Sequence, residues 1–140
     1  MSNENPLSMN ENCLCFAGQE DAVDLNAANG TEKKLTPAVP TDLIFLPIMV
    51  LLDELSTSIG TAVVTFGKYG GDCDEFLGDQ TLTNISGTGD FLIIQPVPHA
   101  TPPKAEFFTA GEFFAMEITT KEGSALTGRL TVLGIYKKAY

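Results

Sequence analysis

The chain has 140 residues, with 18 acidic against 8 basic side chains and a net charge of −10. This length predicts one domain with a small core that buries roughly two-thirds of the unfolded surface. A nonspecific nucleic-acid binder needs a basic surface, whereas this chain has one arginine, Arg129, and no basic stripe. We therefore expect no direct nucleic-acid partner.

The cysteines and the apolar runs indicate the cellular compartment in which the protein is made. Three cysteines, Cys13, Cys15 and Cys73, make no disulfide framework and indicate reduced thiols. The N-terminus lacks the basic and apolar regions of a signal peptide. The longest apolar run, residues 43–52, contains Pro47 and is about half the length that a membrane-spanning helix needs. The sequence predicts a protein that is soluble and intracellular when it is made, with no membrane partner.

Residues 1–40 are polar and acidic, and they match neither the helical nor the strand period for more than a few positions. They contain too many apolar residues for a purely flexible linker, and Pro37 and Pro40 separate them from the rest. We expect an N-terminal arm that is ordered only when it lies on a neighbour; the alternative is a disordered tail. The expected anchors on that neighbour are Leu14, Phe16, Val23 and Leu25.

Residues 41–140 read as a separate all-β domain. Short apolar runs alternate with Gly, Pro, Asp and Asn, and no long helical stretch intervenes. Pro47 has no amide donor, so it is expected at a bulge or a sheet edge. The spacing predicts an antiparallel β-sandwich, best matched by an eight-stranded jelly roll. The expected strands are residues 43–46, 48–53, 61–66, 76–77, 81–85, 91–95, 112–120 and 126–137.

The densest acidic cluster follows Gly71 and ends at Asp79. Hard cations are bound by several oxygens from one tight loop, which makes calcium or magnesium binding one interpretation of Asp72, Asp74 and Glu75. The spacing does not match an EF-hand. The favoured interpretation is a solvated turn between strands, so we expect no metal and no cofactor.

Thiol chemistry has weak support. Cys13, Cys15, Cys73 and His99 form a Cys3His set on paper, but a C-x-C pair is too tight for two zinc ligands. Cys73 and His99 alone would make a thiol–imidazole nucleophile, and no orienting residue accompanies them. No phosphate-binding glycine loop occurs either. The sequence predicts a protein that is not an enzyme.

Apolar residues on both faces of the expected strands indicate an interface. Adjacent strand residues point to opposite faces, so one member of each pair in Phe107–Phe108 and Phe113–Phe114 faces outward. In the last strand, Leu133 and Ile135 are likewise expected to lie on the face opposite to that of Val132 and Tyr136. An exposed apolar face that packs on another subunit is favoured over an interior with two layers. The expected interface residues are Phe107, Phe113, Leu133 and Ile135.

Three segments together resemble small virion structural proteins of tailed bacteriophages, of the capsid decoration or cement type. They are an opening apolar strand with a proline, TDLIFLPIMVLLDEL, the strand TAVVTFGKYGGDCDEFLG that enters an acidic turn, and the closing pair SALTGRLTVLGIYKKAY. The resemblance covers residues 41–140. It implies a β-sandwich or jelly-roll protomer, a homotrimer, that sits on the outer capsid surface and bridges subunits of the major capsid protein.

The same resemblance predicts a protein made in the host cytoplasm and incorporated into the virion. Two alternatives stay open at this point: a tail or adaptor protein, or a protein that binds the host surface with the same fold. A small jelly-roll enzyme of the cupin type is disfavoured, because cupins use several histidine ligands and this chain has one histidine.

Overall fold

The fold consists of two antiparallel β-sheets. The computed structural model describes residues 14–18, 23–55, 60–94, 106–124 and 126–138. Within these residues, helical structure is confined to a three-residue 3-10 turn, Leu82–Asn84, and no helix is long and apolar enough to cross a membrane. The strands are β1 Leu14–Gly18, β2 Val23–Asp24, β3 Thr31–Lys34, β4 Leu43–Leu55, β5 Val63–Lys68, β6 Leu77–Thr81, β7 Phe91–Ile93, β8 Glu106–Phe108, β9 Phe114–Thr120 and β10 Thr127–Lys138.

The strand order is that of a jelly roll. Sheet A has the order β1-β10-β4-β7, with β2 also paired to β10 and β8 also paired to β4, and sheet B has the order β3-β9-β5-β6. β1 and β2 follow one edge of β10, while β7 and β8 follow one edge of β4. Each pair therefore acts as one interrupted strand. The eight resulting strands form two four-stranded sheets, which confirms the sandwich class predicted from the sequence.

The structure corrects the expected boundary at residue 40. β3 pairs with β9 in sheet B, and β2 pairs with β10 in sheet A, so the segment supplies strands to both sheets. Val23, Leu25 and Leu35 are buried in the core. A run such as Thr31–Lys34, which is Thr-Glu-Lys-Lys, has no apolar alternation; it is a strand because a distant partner supplies its hydrogen bonds.

The core lies between the sheets and is rich in phenylalanine. The Phe45 ring of sheet A meets the Phe114 ring of sheet B edge to face, with centroids 5.8 Å apart, and Phe66 stacks on Phe114 at 6.1 Å. Phe108 and Phe76 complete the cluster. These rings come from five separate strands or turns, so the long-range contacts between them hold the two sheets face to face.

The central pair of sheet A is irregular where the sequence predicted it. The register of β4 and β10 shifts between Leu133 and Gly134, and Gly134 lies opposite Pro47. A Cβ on Gly134 would lie 2.7 Å from Cζ of Phe45 and 2.8 Å from the carbonyl oxygen of Leu46. Glycine is therefore required sterically at this bulge, because it lets the Phe45 ring lie against the backbone of β10.

Candidate functional site: the outer face of sheet A

The outer side of sheet A carries rows of apolar side chains. Residues directly opposite one another in antiparallel strands share a face, and Met49 of β4 lies opposite Ile93 of β7 and Leu133 of β10. In the next row Leu51 lies opposite Phe91. We call this surface the apolar face; its members are Ile44, Met49, Leu51, Phe91, Ile93, Phe107, Leu133 and Ile135.

Several members of the apolar face are unusually open to solvent. Ile93 is 56% exposed and Phe91 is 52% exposed, followed by Phe107 at 45% and by Ile44 and Ile135 at 40% each. Other residues of the same sheet, Leu52, Val132 and Phe108, are buried in the core between the sheets. Burying large apolar side chains on both sides of one sheet requires a second covering surface, so this face has the composition of a docking surface.

The structure brings three of the four expected interface residues to this face. Phe107 lies opposite the exposed Ile44, and Leu133 and Ile135 follow along β10. Phe113 lies elsewhere, directly before β9 of sheet B. Lys34 places its ammonium nitrogen 3.8 Å from the centroid of the Phe113 ring, so part of this ring is covered within the chain.

The four expected arm anchors lie in two different parts of the structure. Val23 and Leu25 are buried in the chain's own core, so the structure corrects their expected role on a neighbour. Leu14 and Phe16 belong to β1, where they lie in register with Ile135 and Leu133 at the edge of the apolar face. Their contact with a neighbouring subunit stays a prediction.

The outer side of sheet B has the opposite character. Glu117 of β9 lies opposite Glu32 of β3, and its flanking residues Met116 and Ile118 are buried in the core. Burial raises the pKa of the Glu117 carboxyl, and the nearby charges of Glu32, Asp74 and Asp72 raise it further. We call this surface the acidic face; its members are Glu32, Asp72, Asp74, Glu75 and Glu117.

The acidic turn that follows β5 folds over Gly67. A Cβ on Gly67 would lie 2.7 Å from the carbonyl carbon of Cys73 and 2.9 Å from the amide nitrogen of Asp74. Glu75 accepts a hydrogen bond of 2.9 Å from the amide of Lys68. Asp79 accepts one of 3.1 Å from the hydroxyl of Thr119. Two of the acidic side chains thus stabilise the turn and its strands.

No metal centre is assembled among the described parts of the chain. They contain no group of three or more His, Cys, Asp or Glu side chains that would hold an ion. Of the sequence's Cys3His set, Cys73 has a described side chain; Cys13 and His99 lie outside the described residues, and Cys15 is placed only by its strand register.

Cys73 is poorly suited to nucleophilic chemistry. Its side chain is fully buried, and burial raises the pKa of its thiol well above the ordinary value, with further contributions from Glu32, Glu75 and Glu117. The thiolate is the reactive form, so this thiol is held in its inert state. Its backbone has φ of 51°, a left-handed conformation that fits a tight turn.

Sequence reasoning missed the most exposed members of the apolar face. Phe91, Ile93 and Ile44 lie in runs where every residue is apolar, so the pattern predicts that they lie in strands but does not predict which face they occupy. The signal was present: a strand with apolar residues at successive positions must direct every second one away from the core. In Phe91–Ile93, as in Phe107–Phe108, the alternation of a strand therefore predicts outward-facing apolar side chains.

A solved structure shares this architecture across nearly the whole chain. It is a chain in the structure titled cyanophage Pam1 capsid asymmetric unit, which matches with a TM-score of 0.63 and 11% sequence identity. The match covers 99% of this chain and 92% of that chain. At this identity the likeness establishes the fold.

The two comparisons of sequence give no relative. No protein-family model matches the chain, and no curated protein is significantly similar to it.

Proposed function

We propose that this protein is a non-enzymatic virion structural protein of the capsid decoration or cement type. It sits on the outer surface of a phage capsid as a homotrimer and bridges subunits of the major capsid protein. The observation that carries the proposal is the full-length likeness of this jelly roll to a chain of a phage capsid asymmetric unit. Residues 41–140 independently resemble the decoration and cement proteins of tailed phages.

The surface chemistry supports a role in assembly. The chain presents a broad apolar face on one sheet and an acidic face on the other, and its buried cysteine is held protonated. These features suit contacts between subunits better than turnover of a small substrate.

The mechanism is a shift in the stability of the capsid lattice. A protein that binds across neighbouring capsid subunits in one lattice state stabilises that state by mass action. Several copies around a symmetry axis add avidity, so that no single contact needs to be strong. The activity is mechanical, and it requires neither a cofactor nor a metal.

The test uses purified phage particles that lack the chain. The intact chain is added at increasing concentration, bound copies are located by cryo-electron microscopy, and the temperature of genome release is recorded. We expect ordered density on the outside of the head and a higher release temperature. Binding to the tail or to the host surface would favour the alternatives instead, and absence from all particle surfaces would refute the proposal.

A further inference from the structure

The apolar face is large enough to be an interaction surface. It extends over residues 44–51 of β4 and over the neighbouring strands on both sides. At about 3.3 Å per residue and 4.8 Å between strands, this corresponds to a footprint of roughly 400 Å². The largest apolar patch on a typical monomer is of this size and is often functional, whereas exposed residues that are scattered singly do not form such rows.

Charge is segregated between the two outer faces. On the acidic face, burial raises the pKa of the Glu117 carboxyl, and repulsion from the three nearby carboxylates Glu32, Asp74 and Asp72 raises it further. The apolar face carries hydrophobic side chains from Ile44 to Leu51, and its charged residues lie at its ends: Lys137 is in register with Ile44 at one end, and the pair Arg129–Glu54 lies beyond the other. A chain of net charge −10 repels its own copies everywhere except through such a charge-poor surface.

We infer that a second copy of this chain covers the apolar face. When the apolar faces of three copies turn toward a common threefold axis, the acidic faces point outward and away from one another, so the like charges lie as far apart as the sandwich allows. A different protein that recognises this acidic chain would gain most from the charged surfaces, where charge complementarity is available. This inference rests on the proposed function, in which the protein is a homo-oligomer, and it assigns the surface through which the copies meet.

The expected affinity follows from the size of the face. A footprint of roughly 400 Å² per copy is about half the ~800 Å² that each partner buries in a standard interface, and it lies in the range of weak, transient contacts. We therefore expect association in the micromolar range, with a dissociation constant of about 1–100 µM. Salt should not weaken this association, because screening reduces the repulsion between the charged copies.

The experiment compares two substitutions of exposed, large side chains on opposite sheets. Ile93→Asp places a charge in the apolar face, and Tyr69→Asp is the matched control, since Tyr69 is 47% exposed and lies beside the sheet B cluster of Lys34 and Phe113. Sedimentation velocity of the full chain is recorded from about 1 to 200 µM. Both variants are first shown to melt as the intact chain does, which separates loss of association from loss of fold.

We expect the intact chain to associate, Ile93→Asp to weaken association at least about tenfold, and Tyr69→Asp to leave it unchanged. Ile135→Asp should reproduce the effect of Ile93→Asp from the other end of the face. Three outcomes would overturn the inference: a monomer at about 200 µM, equal weakening by Tyr69→Asp, or association that fades as salt rises. A monomer whose apolar face is protected from hydrogen exchange, with protection lost on deletion of residues 2–13, would identify the chain's own N-terminal segment as the occupant.

The failure of this inference can be told apart from the failure of the proposed function. A chain that is monomeric in solution and still binds the outside of phage heads overturns the inference and leaves the proposed function standing. A chain that associates through the apolar face but binds no particle overturns the proposed function and leaves the assignment of the self-association surface standing.

Discussion

Among the described carboxylates, the buried Glu122 is expected to be the one whose replacement destabilises the fold most. It follows β9 and is 7% exposed. Its Oε1 accepts hydrogen bonds from three successive backbone amides: Gly60 at 3.0 Å, Ala62 at 2.6 Å, and Thr61 between them. Its own amide donates to the carbonyl oxygen of Leu25 at 2.9 Å. One residue therefore joins the start of β5, the turn after β2 and the connection to β10.

The magnitude follows from those hydrogen bonds. A hydrogen bond to a charged group contributes about 1.5–3 kcal/mol, but bonds that share one acceptor do not add fully and two of the three amides are partly solvated. We expect Glu122→Ala to lower the free energy of unfolding by about 2–4 kcal/mol, or the Tm by about 10 °C in a chain of this size. Glu122→Gln keeps an acceptor oxygen without the charge, and about half that loss is expected.

The pH dependence of the folding stability tests the role of the Glu122 carboxylate independently. Burial raises the pKa of the Glu122 carboxyl, but the amides of Ala62, Gly60 and Thr61 lower it by more, so the net shift is downward. A carboxyl whose pKa is lower in the folded state stabilises the fold above its unfolded pKa, about 4.3, and loses that contribution as the pH falls through the folded value. The difference in stability between intact chain and Glu122→Gln should therefore be constant near pH 7 and shrink below about pH 4.

The assay is urea unfolding at fixed protein concentration, followed by circular dichroism from pH 3 to pH 8. Glu54→Gln is the control, because that carboxylate is 69% exposed in its ion pair with Arg129 and should contribute little. The reasoning is refuted if Glu122→Ala and Glu54→Gln unfold at the same urea concentration, or if the Glu122→Gln difference stays constant through the acid range.

Three further predictions concern the bulge, the thiol and the acidic turn. Gly134→Ala should lower the free energy of unfolding in urea by about 2–4 kcal/mol, because the added Cβ would overlap the Phe45 ring. Gly128→Ala is the control and should cost clearly less, because the nearest contact of its Cβ would be 3.1 Å away. Equal effects of the two substitutions would contradict this explanation. Cys73 should react with iodoacetamide at pH 8 at the rate of unfolding, as site-resolved mass spectrometry would show, and rapid labelling in the native state would contradict its burial. The Tm should be the same in EDTA and in calcium chloride; a calcium-dependent rise that is absent in Asp74→Asn would instead identify the turn as a cation site.

The local pattern was sufficient for the strands that carry apolar residues. The run at residues 61–66 is found as β5, Val63–Lys68, and the run at residues 112–120 as β9, Phe114–Thr120. Pro47 lies at the predicted irregularity because a residue without an amide hydrogen cannot complete a ladder. The antiparallel sandwich class follows from this cadence together with the absence of helical periodicity in the sequence. The strand count does not, because the expected strands 43–46 and 48–53 are the single strand β4, and the expected strand 81–85 contains the 3-10 turn Leu82–Asn84.

Strands β2 and β3 could not be predicted from the local sequence pattern. β3 is polar throughout, and β2 has two residues, so their strand identity is set by pairing with β9 and β10 more than eighty residues further along the chain. Hydrophobic periodicity carries no information about such contacts. The same limit affected Phe113, whose exposure depends on the position of Lys34 in another strand.

Because residues 23–36 contribute strands and buried side chains to the core, removing them should unfold the domain. Deleting residues 2–36 removes β1, β2 and β3, and with them the buried Val23, Leu25 and Leu35. Each buried aliphatic side chain contributes about 1.5–3 kcal/mol, and the total, with an unpaired edge left on β9, is comparable to the whole stability of a domain, about 5–15 kcal/mol. The truncated chain should lack cooperative unfolding and expose its core to a hydrophobic dye. Deletion of residues 2–13 is the control, since it leaves every described strand in place, and it should melt near the intact chain. If the longer deletion also melts cooperatively near that temperature, residues 23–36 are dispensable to the core and the division at residue 40 is restored.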